Sequence, residues 1–337
     1  MRVRQILSGL GLGLAVLGLA QPVLVDSASA DAALTVELPT GLSPRTIGFY
    51  LALDKGYYSA AGLTVTFKAP SEDQRPSDAL VQARADLAVE MMPVALKRRE
   101  GGDKIVHIAQ IFRKAGMEVV CRPVIDTPAA LKDHVVGVWF GGLESSFYAW
   151  ITGLSLNPFG GPGSVTVLRQ NFGLDAFKRF QSDCATTFDY TAPLEFAAAE
   201  IPLQGLKQYS YQKLDLATLE DGLYAREGDL TKPERVTLFA SFLGAARRGW
   251  QLAHISPKTA FDLLRADPKF ASVDAAALKQ AIDAVDDLVA LEKGPLGKLD
   301  SQAYDRTVNL LLTAAPDPVL TRAPANATSD TVLKATK

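Results

Sequence analysis

The chain has few of the residues on which common metal and enzyme sites depend. Its 337 residues include two cysteines, Cys121 and Cys184, and three scattered histidines, His107, His134 and His254. These side chains do not form a metal-ligand cluster in the sequence, so we expect no metal site and no cofactor. The phosphate-loop, hydrolase-elbow and zinc-protease signatures are also missing, which makes an enzyme less expected without excluding one.

Positive charge is not in excess either. Without residues 1–30, which contain Arg2, Arg4 and Asp26, the chain has 33 Lys and Arg against 36 Asp and Glu, a net charge of −3. A near-neutral chain with no basic block argues against nucleic acid or an anionic membrane as the main partner.

The one long apolar run lies at the N-terminus. Arg2 and Arg4 precede about 15 mostly apolar residues, 6–20, and the small residues Ala28-Ser29-Ala30 follow. This pattern is typical of a secretory signal peptide, since a membrane span needs roughly 20 apolar residues. We therefore expect export and cleavage near Ala30. The destination is oxidising, and the sequence leaves open whether Cys121 and Cys184 form a disulfide or stay as separate buried thiols.

Short apolar strands alternate with helical segments in the rest of the chain. Strands are predicted at LTVEL (34–38), LTVTF (63–67), IVHIAQIF (105–112), MEVVCRPV (117–124), VVGVWF (135–140) and CATTF (184–188). Amphipathic helices are predicted in the part of the chain that follows the last of these strands. This alternation predicts an α/β fold with largely parallel sheets.

A paired glycine separates a predicted strand from a predicted helix in GVWFGGLESSFY (137–148). Gly141 and Gly142 accept backbone angles that other residues avoid, and they let another group approach the main chain. The helix that follows points unpaired N–H groups at the same place. Because ligands of α/β sheets lie beyond the carboxyl ends of strands, Gly141, Gly142 and Glu144 predict part of a binding site.

Four stretches of the chain resemble a known group of proteins. They are GFYLALDKGYYSAAGLTVTF (48–67), ADLAVEMMPVALKRREGGDKIVHIAQIF (85–112), VGVWFGGLESSFYAWITGL (136–154) and SDCATTFDY (182–190). These stretches resemble the periplasmic substrate-binding proteins of ABC importers, in the nitrate/sulfonate/taurine and thiamine-pyrimidine-precursor group (the SsuA/THI5-like superfamily). The resemblance covers nearly the whole chain after residue 30.

The resemblance implies a two-lobed periplasmic-binding-protein fold of type II. Each lobe would be a mostly parallel sheet flanked by helices, with the ligand cleft between the lobes. In this chain, residues 1–30 would be the signal peptide and residues 326–337 a loosely ordered tail. Residues 31–117 and 208–325 would form lobe 1, and residues 118–207 would form lobe 2.

The function that the resemblance implies is capture of a small organic solute in the periplasm. The protein would be a monomer that delivers the solute to an ABC permease and its ATPase at the inner membrane, without doing chemistry. Two alternatives stay open: binding of a sulfonate, taurine or nitrate-type anion by the same fold, and a thiamine pyrimidine synthase-like enzyme. That enzyme branch has a cysteine-rich run, which this chain lacks.

Strand ends and the resemblance together place a set of residues at the cleft. They are Arg45, Phe49, Glu90 and Met91 from lobe 1, and Trp139, Phe140, Gly141, Gly142, Glu144, Asp189, Tyr190 and Thr191 from lobe 2. Trp139, Phe140 and Tyr190 would offer flat surfaces to a heteroaromatic ring, although Trp139 and Phe140 also suit a core. Arg45 is either an anion contact or a solvated loop residue.

The chain departs from the group at one point. Close relatives follow the later strand with Thr-Tyr-Asn-Glu, whereas this chain has Asp189-Tyr190-Thr191-Ala192. The exchange removes side chains that would hydrogen-bond a polar ring, so it weakens the case for a pyrimidine. The cleft segments offer mainly aromatics, glycines and acidic residues, which favours a neutral or cationic solute over an anion.

Overall fold

The computed structural model describes residues 31–71, 74–171 and 173–336, and the predicted signal peptide lies outside them. The strands are β1 Ala32–Glu37, β2 Leu63–Lys68, β3 Leu87–Met91, β4 Ile105–Gln110, β5 Met117–Cys121, β6 Val135–Val138, β7 Thr166–Arg169, β8 Cys184–Phe188, β9 Lys207–Ser210 and β10 Asp221–Arg226. The helices are α1 Ile47–Asp54, α2 Pro76–Val81, α3 Met92–Glu100, α4 Ser145–Gly153, α5 Asp175–Lys178, α6 Ala192–Ala198, α7 Pro233–Ile255, α8 Pro257–Ala266, α9 Ala275–Val289, α10 Ser301–Thr313 and α11 Thr331–Ala335.

The strands form two five-stranded sheets with the same plan. The order is β2-β1-β3-β10-β4 in the first sheet and β7-β6-β8-β5-β9 in the second. The predicted two-lobed α/β fold is confirmed. The chain passes between the sheets twice, through residues 111–116 and 211–220.

Each sheet is mixed: four of its five strands run in the same direction and one runs against them, so the prediction of mostly parallel sheets is confirmed. In the first sheet β1 pairs in parallel with β2 and β3, whereas β10 runs antiparallel to β3 and β4. In the second sheet β6 pairs in parallel with β7 and β8, whereas β5 runs antiparallel to β8 and β9. The antiparallel strands β5 and β10 are those that directly follow the two crossings. A strand that arrives from the other lobe is not bound by the βαβ connection that makes its neighbours parallel.

The structure moves the second predicted lobe boundary and changes the description of the tail. The boundary expected between residues 207 and 208 falls inside β9, which pairs with β5 and so belongs to lobe 2. Residues 326–336 are not loosely held: Thr328 forms a bridge to His107 beside β4, and Val332 of α11 is fully buried. Backbone pairing and an apolar anchor fix this segment, although its sequence lacks apolar periodicity.

Two glycines let α1 and α7 pack closely in lobe 1. A Cβ atom on Gly249 of α7 would lie 2.0 Å from the carbonyl oxygen of Gly48 in α1, and a Cβ atom on Gly48 would lie 2.0 Å from the Trp250 ring. The absence of both side chains therefore sets the distance between the two helices.

Cys121 and Cys184 form a disulfide, which decides the alternative that the sequence left open. They are partners in the β5–β8 register, and both are fully buried. The bond joins the strand that enters lobe 2 to the central part of its sheet. Within the described residues, no helix has the length and apolar character needed to cross a membrane.

Candidate binding site between the two lobes

The candidate site lies where strand ends of the two sheets meet. In lobe 1, Met91 ends β3 and pairs with Asp221 at the start of β10. In lobe 2, Phe188 ends β8, and Trp139 directly follows β6. All four side chains are buried. The two lobes thus form a closed arrangement over this region.

The paired glycine supplies a direct contact between the lobes. Gly141 and Gly142 both have positive φ angles, +88° and +114°. A Cβ atom on Gly142 would lie 3.3 Å from the carbonyl carbon and oxygen of Pro93 in α3, and one on Gly141 would lie 3.6 Å from Arg75 Nη2. Because a side chain would be strained at these angles and would meet lobe 1, both positions suit glycine.

Glu144 is occupied by the same loop. Its Oε2 accepts a hydrogen bond of 2.8 Å from the Gly142 N–H, and the side chain is buried at the start of α4. The carboxylate therefore fixes the glycine turn from within. This geometry agrees with a positioning role for Glu144 better than with a direct contact to a solute.

Arg45 faces the site and is held by Asp221. The guanidinium donates from Nε to Oδ2 at 2.7 Å and from Nη2 to Oδ1, a bidentate pair between the short 3₁₀ helix Pro44–Thr46 and β10. Burial opposes the charge, but Asp221 outweighs it and the pKa of Arg45 is raised. The guanidinium carbon also lies 5.4 Å from the centre of the Phe188 ring in lobe 2. Arg45 is thus neither a solvated loop residue nor a cation without a counter-ion.

Aromatic rings run continuously through the site. Trp139 contacts Phe188 with ring centres 4.9 Å apart, and Phe188 stacks on Tyr190 at the same distance. Tyr190 meets the edge of Phe112 at 5.8 Å, in the first crossing between the lobes. Phe188 therefore lies between Trp139 and Tyr190, two of the three rings that the sequence predicted as stacking surfaces.

Glu90 and Thr191 are held by neighbours in their own lobes. Glu90 is buried and accepts hydrogen bonds from Ser77 Oγ at 2.8 Å and from the Met91 N–H at 3.0 Å, while burial raises its pKa. Thr191 Oγ1 lies 3.1 Å from Thr187 Oγ1 in lobe 2. Both residues border the site, and their polar groups are already engaged.

Phe49 and Phe140 make ring contacts within their own lobes. Phe49 is in the core of lobe 1, edge-on to Trp250 at 5.5 Å, because it lies on the buried side of α1. Phe140 packs against Tyr148, and the Arg169 guanidinium covers its ring at 4.3 Å within lobe 2.

Sequence reasoning missed several acidic residues around the crossings. Glu118, Glu220 and Asp221 are all buried, and Asp189 is half-buried beside them. The signal available was the Glu-Asp pair in LEDGLYA (219–225), since two acidic residues next to an apolar strand are unusual. Asp189 itself was predicted as a site residue.

Three of these carboxyl groups have strongly shifted pKa values. Burial, with a smaller effect of the Asp189 charge, raises the pKa of Glu118 and of Glu220 to about 8 each. Burial, followed by the charge of Asp287, raises the pKa of Asp189 to about 7. Desolvation disfavours the charged carboxylate in each case.

The sequence profile of the NMT1/THI5-like family matches residues 43–260, more than half of the chain. The chain belongs to this family. The resemblance inferred from the sequence is therefore confirmed. No curated protein matches the chain significantly.

Solved structures with the same fold include binding proteins and an enzyme. A protein from Bordetella bronchiseptica RB50 superposes with a TM-score of 0.66 at 16% identity, covering 90% of this chain and 96% of that one. The alkanesulfonate-binding protein SsuA from Xanthomonas axonopodis pv. citri, bound to MOPS, gives 0.65 at 13%, covering 90% and 99%. The desulfurization enzyme DSZB gives 0.58 at 15%, covering 90% and 98%. At these identities the similarity shows the fold, and the fold by itself does not decide between binding and catalysis.

Proposed function

We propose that this protein is the solute-binding component of an ABC importer. It captures a small organic solute in the periplasm, closes over it and delivers it to a membrane permease driven by an ATPase. The solute carries a ring, such as a thiamine pyrimidine precursor or a related heteroaromatic. The protein works as a monomer after removal of the signal peptide near Ala30.

The observation that carries this proposal is the contact between the lobes at the strand ends. Gly142 of lobe 2 lies against Pro93 of lobe 1, and within the described residues the lobes are connected by two chain segments, 111–116 and 211–220. Two rigid sheets joined in this way are suited to hinge closure around a ligand. A solute that contacts both lobes stabilises the closed arrangement, because the open arrangement lacks half of those contacts.

Aromatic side chains favour a solute with a ring. Trp139, Phe188 and Tyr190 form one contacting series at the centre of the site. Aromatic pairs stabilise by about 1 kcal/mol beyond the area that they bury. A ring that inserts beside Trp139 or displaces Phe188 would regain these contacts.

Anion binding by the same fold is the second candidate, favoured by the similarity to SsuA, a sulfonate-binding protein of this fold. The charges around the site oppose it. Arg45 is already neutralised by a bidentate pair with Asp221, and Glu118, Asp189 and Glu220 surround the crossings. A sulfonate would meet buried carboxyl groups here and a guanidinium whose charge is already paired, rather than a free cation.

The enzyme alternative has less support than either binding function. DSZB shows that this fold also serves catalysis. Here, however, both cysteines are joined in a disulfide, so neither is a thiolate nucleophile in this form. His107 is buried within β4 and hydrogen-bonded to Gln110 of the same strand, and His254 pairs with Asp286 near the surface. The disulfide also agrees with a protein that works in an oxidising compartment.

The test is a thermal-shift screen of residues 31–337, refolded to remove bound solute. The solutes are pyrimidines, flavins, thiamine precursors, sulfonates, amino-acid derivatives and inorganic anions. A solute at 100 times its dissociation constant adds about 2.7 kcal/mol of stability. A response to ring-containing solutes that Trp139→Ala abolishes supports the proposal, whereas a response confined to sulfonates or nitrate selects the anion alternative. If no solute raises the melting temperature and the natively purified protein releases no small molecule, the proposal of solute binding is wrong.

A further inference from the structure

The first crossing between the lobes brings three polar side chains to one place at Gly116. A Cβ atom on Gly116 would lie 2.4 Å from Asp189 Oδ1 and 3.1 Å from Tyr190 Cδ1. The N–H groups of Gly116 and Met117 donate to the Glu220 carboxylate, at 2.7 Å for Met117. Asp189, Tyr190 and Glu220 therefore surround the same glycine at the base of the cleft.

Each of these side chains keeps an atom that nothing in the described chain satisfies. Asp189 Oδ1, the Tyr190 hydroxyl and Glu220 Oε2 are buried and have no hydrogen-bond partner among the described residues. Glu220 is 0% exposed and Tyr190 is 1% exposed. Burying such a group without a partner costs about 1–3 kcal/mol, so three at one place point to a group that binds there.

Acidic side chains around Gly116 outnumber the cations that are available to pair with them. Glu118 adds a third acidic side chain, with Oε1 also buried and unpartnered in the described part of the chain. Lys213 is the cation whose charge acts on both Glu118 and Asp189. The other charges near these groups are already balanced, since Arg45 pairs with Asp221 and Lys114 pairs with Asp287 at 2.6 Å.

We propose that the base of the cleft recognises a cationic nitrogen of the solute, held by the carboxylates of Asp189 and Glu220 and the hydroxyl oxygen of Tyr190. The inference rests on the proposed function and names the chemical class of the solute: an organic ammonium or amidinium attached to a ring. A metal ion fits less well, because no group of three or more His, Cys, Asp or Glu side chains in residues 31–71, 74–171 and 173–336 is placed to hold one. The rings of Tyr190, Phe188 and Phe112 add faces that favour a cation.

A bound cation also changes the protonation of the cluster. Burial keeps the pKa of Glu220 at about 8 and that of Asp189 at about 7, so both carry protons for part of the time at neutral pH. A cation favours the ionised carboxylates and releases those protons. Its affinity therefore rises between pH 6 and pH 8, whereas the affinity of a neutral solute does not.

The experiment uses matched sets of probes on residues 31–337. Each of four rings (phenyl, pyridine, pyrimidine and indole) carries an aminomethyl, a hydroxymethyl or a methylsulfonate group. We expect the aminomethyl members to raise the melting temperature most. Calorimetry of the best one should show affinity that increases from pH 6 to pH 8 and proton release that depends on the ionisation enthalpy of the buffer.

Three variants locate the effect. Asp189→Asn and Tyr190→Phe should weaken the aminomethyl probe, about tenfold or more for the lost carboxylate. Glu220→Gln keeps an oxygen for the Met117 N–H and should also lose the pH dependence that Glu220 contributes. Glu234→Gln, which changes an exposed carboxylate in the first turn of α7, is the matched control and should change nothing.

The outcomes separate this inference from the function on which it rests. A hydroxymethyl or methylsulfonate member that binds best, or an aminomethyl affinity that survives Asp189→Asn and Tyr190→Phe, overturns the cation site and leaves solute binding intact. If no member binds and the natively purified protein releases no small molecule, the cation site and the proposed function are both rejected.

Discussion

Arg45 and Asp221 form a bidentate ion pair inside the cleft, although 176 residues separate them in the chain. Asp221 is buried and the Arg45 side chain is 15% exposed. The pair gives the site one fixed guanidinium whose charge is already compensated. It positions the loop before α1 against the start of β10, and it leaves the acidic residues of the crossings to determine the charge that a solute should carry.

The first prediction concerns this pair. Asp221→Asn should destabilise the protein by about 3 kcal/mol or more, because it leaves a buried guanidinium without its carboxylate. A double-mutant cycle tests this coupling. Urea unfolding is measured for Asp221→Asn, for Arg45→Met and for the variant that carries both substitutions. The double variant should be more stable than the sum of the two single effects predicts. Strict additivity would mean that the pair is not coupled.

The second prediction compares the two glycines that follow β6. Gly141→Ala and Gly142→Ala should each cost about 1–2 kcal/mol, because both residues have positive φ angles. Gly142→Ala should in addition weaken solute binding about fivefold, since its Cβ atom would press on Pro93 only when the lobes are closed.

Small-angle scattering and calorimetry with the best solute of the screen check the second prediction. Gly141→Ala is the matched control, because it introduces the same backbone strain but its Cβ atom does not contact the Pro93 backbone. Equal losses of affinity in the two variants would show that the contact with lobe 1 does not matter for closure.

Local sequence was enough to predict the glycine turn, the strand before it and the helix after it. Gly141 and Gly142 stand between an apolar strand and a helix, and both have the positive φ angles that such a turn requires. The position of Asp221 beside Arg45 was not predictable in this way, because it depends on the second crossing and on the pairing of β10 with β3. The contacts of Phe188 with Trp139 and Tyr190 were not predictable for a similar reason. A phenylalanine at the end of a strand is expected in the core unless the residues around it are known.

The third prediction concerns the contact of α1 with α7. Gly249→Ala should destabilise by about 3 kcal/mol or more, because the added Cβ atom would lie 2.0 Å from the Gly48 carbonyl oxygen and 2.7 Å from the Ala52 nitrogen. Gly153→Ala, at the end of α4, has no atom within 4 Å of the added Cβ and should leave stability equal or slightly higher. Thermal unfolding of the two variants distinguishes them, and similar melting temperatures would contradict the close packing.

The fourth prediction concerns the disulfide. Replacing Cys121 and Cys184 together by alanine should cost about 4 kcal/mol, since the bond closes a loop with a sequence separation of 63 residues. Wild-type protein unfolded with a reductant present should lose the same stability, while the double variant should not respond to the reductant. A thiol titration of unreduced, unfolded protein should find no free thiol. A wild type that responds no more than the variant would argue against the bond.

The last prediction follows from the buried carboxyl of Glu220, whose pKa is raised from 4.5 to about 8. Between these two values the folded protein binds more protons than the unfolded chain, so this group makes the protein less stable as the pH rises, by at most about 1.4 kcal/mol per pH unit. Glu220→Gln does not titrate. The variant should therefore gain stability relative to wild type from pH 5 to pH 8, with the difference becoming constant above pH 8. Urea unfolding at pH 5, 6, 7 and 8 measures this difference, with Glu234→Gln as the exposed control. A difference that stays the same at all four values would mean that Glu220 is ionised throughout, in which case a permanent positive charge must already balance it.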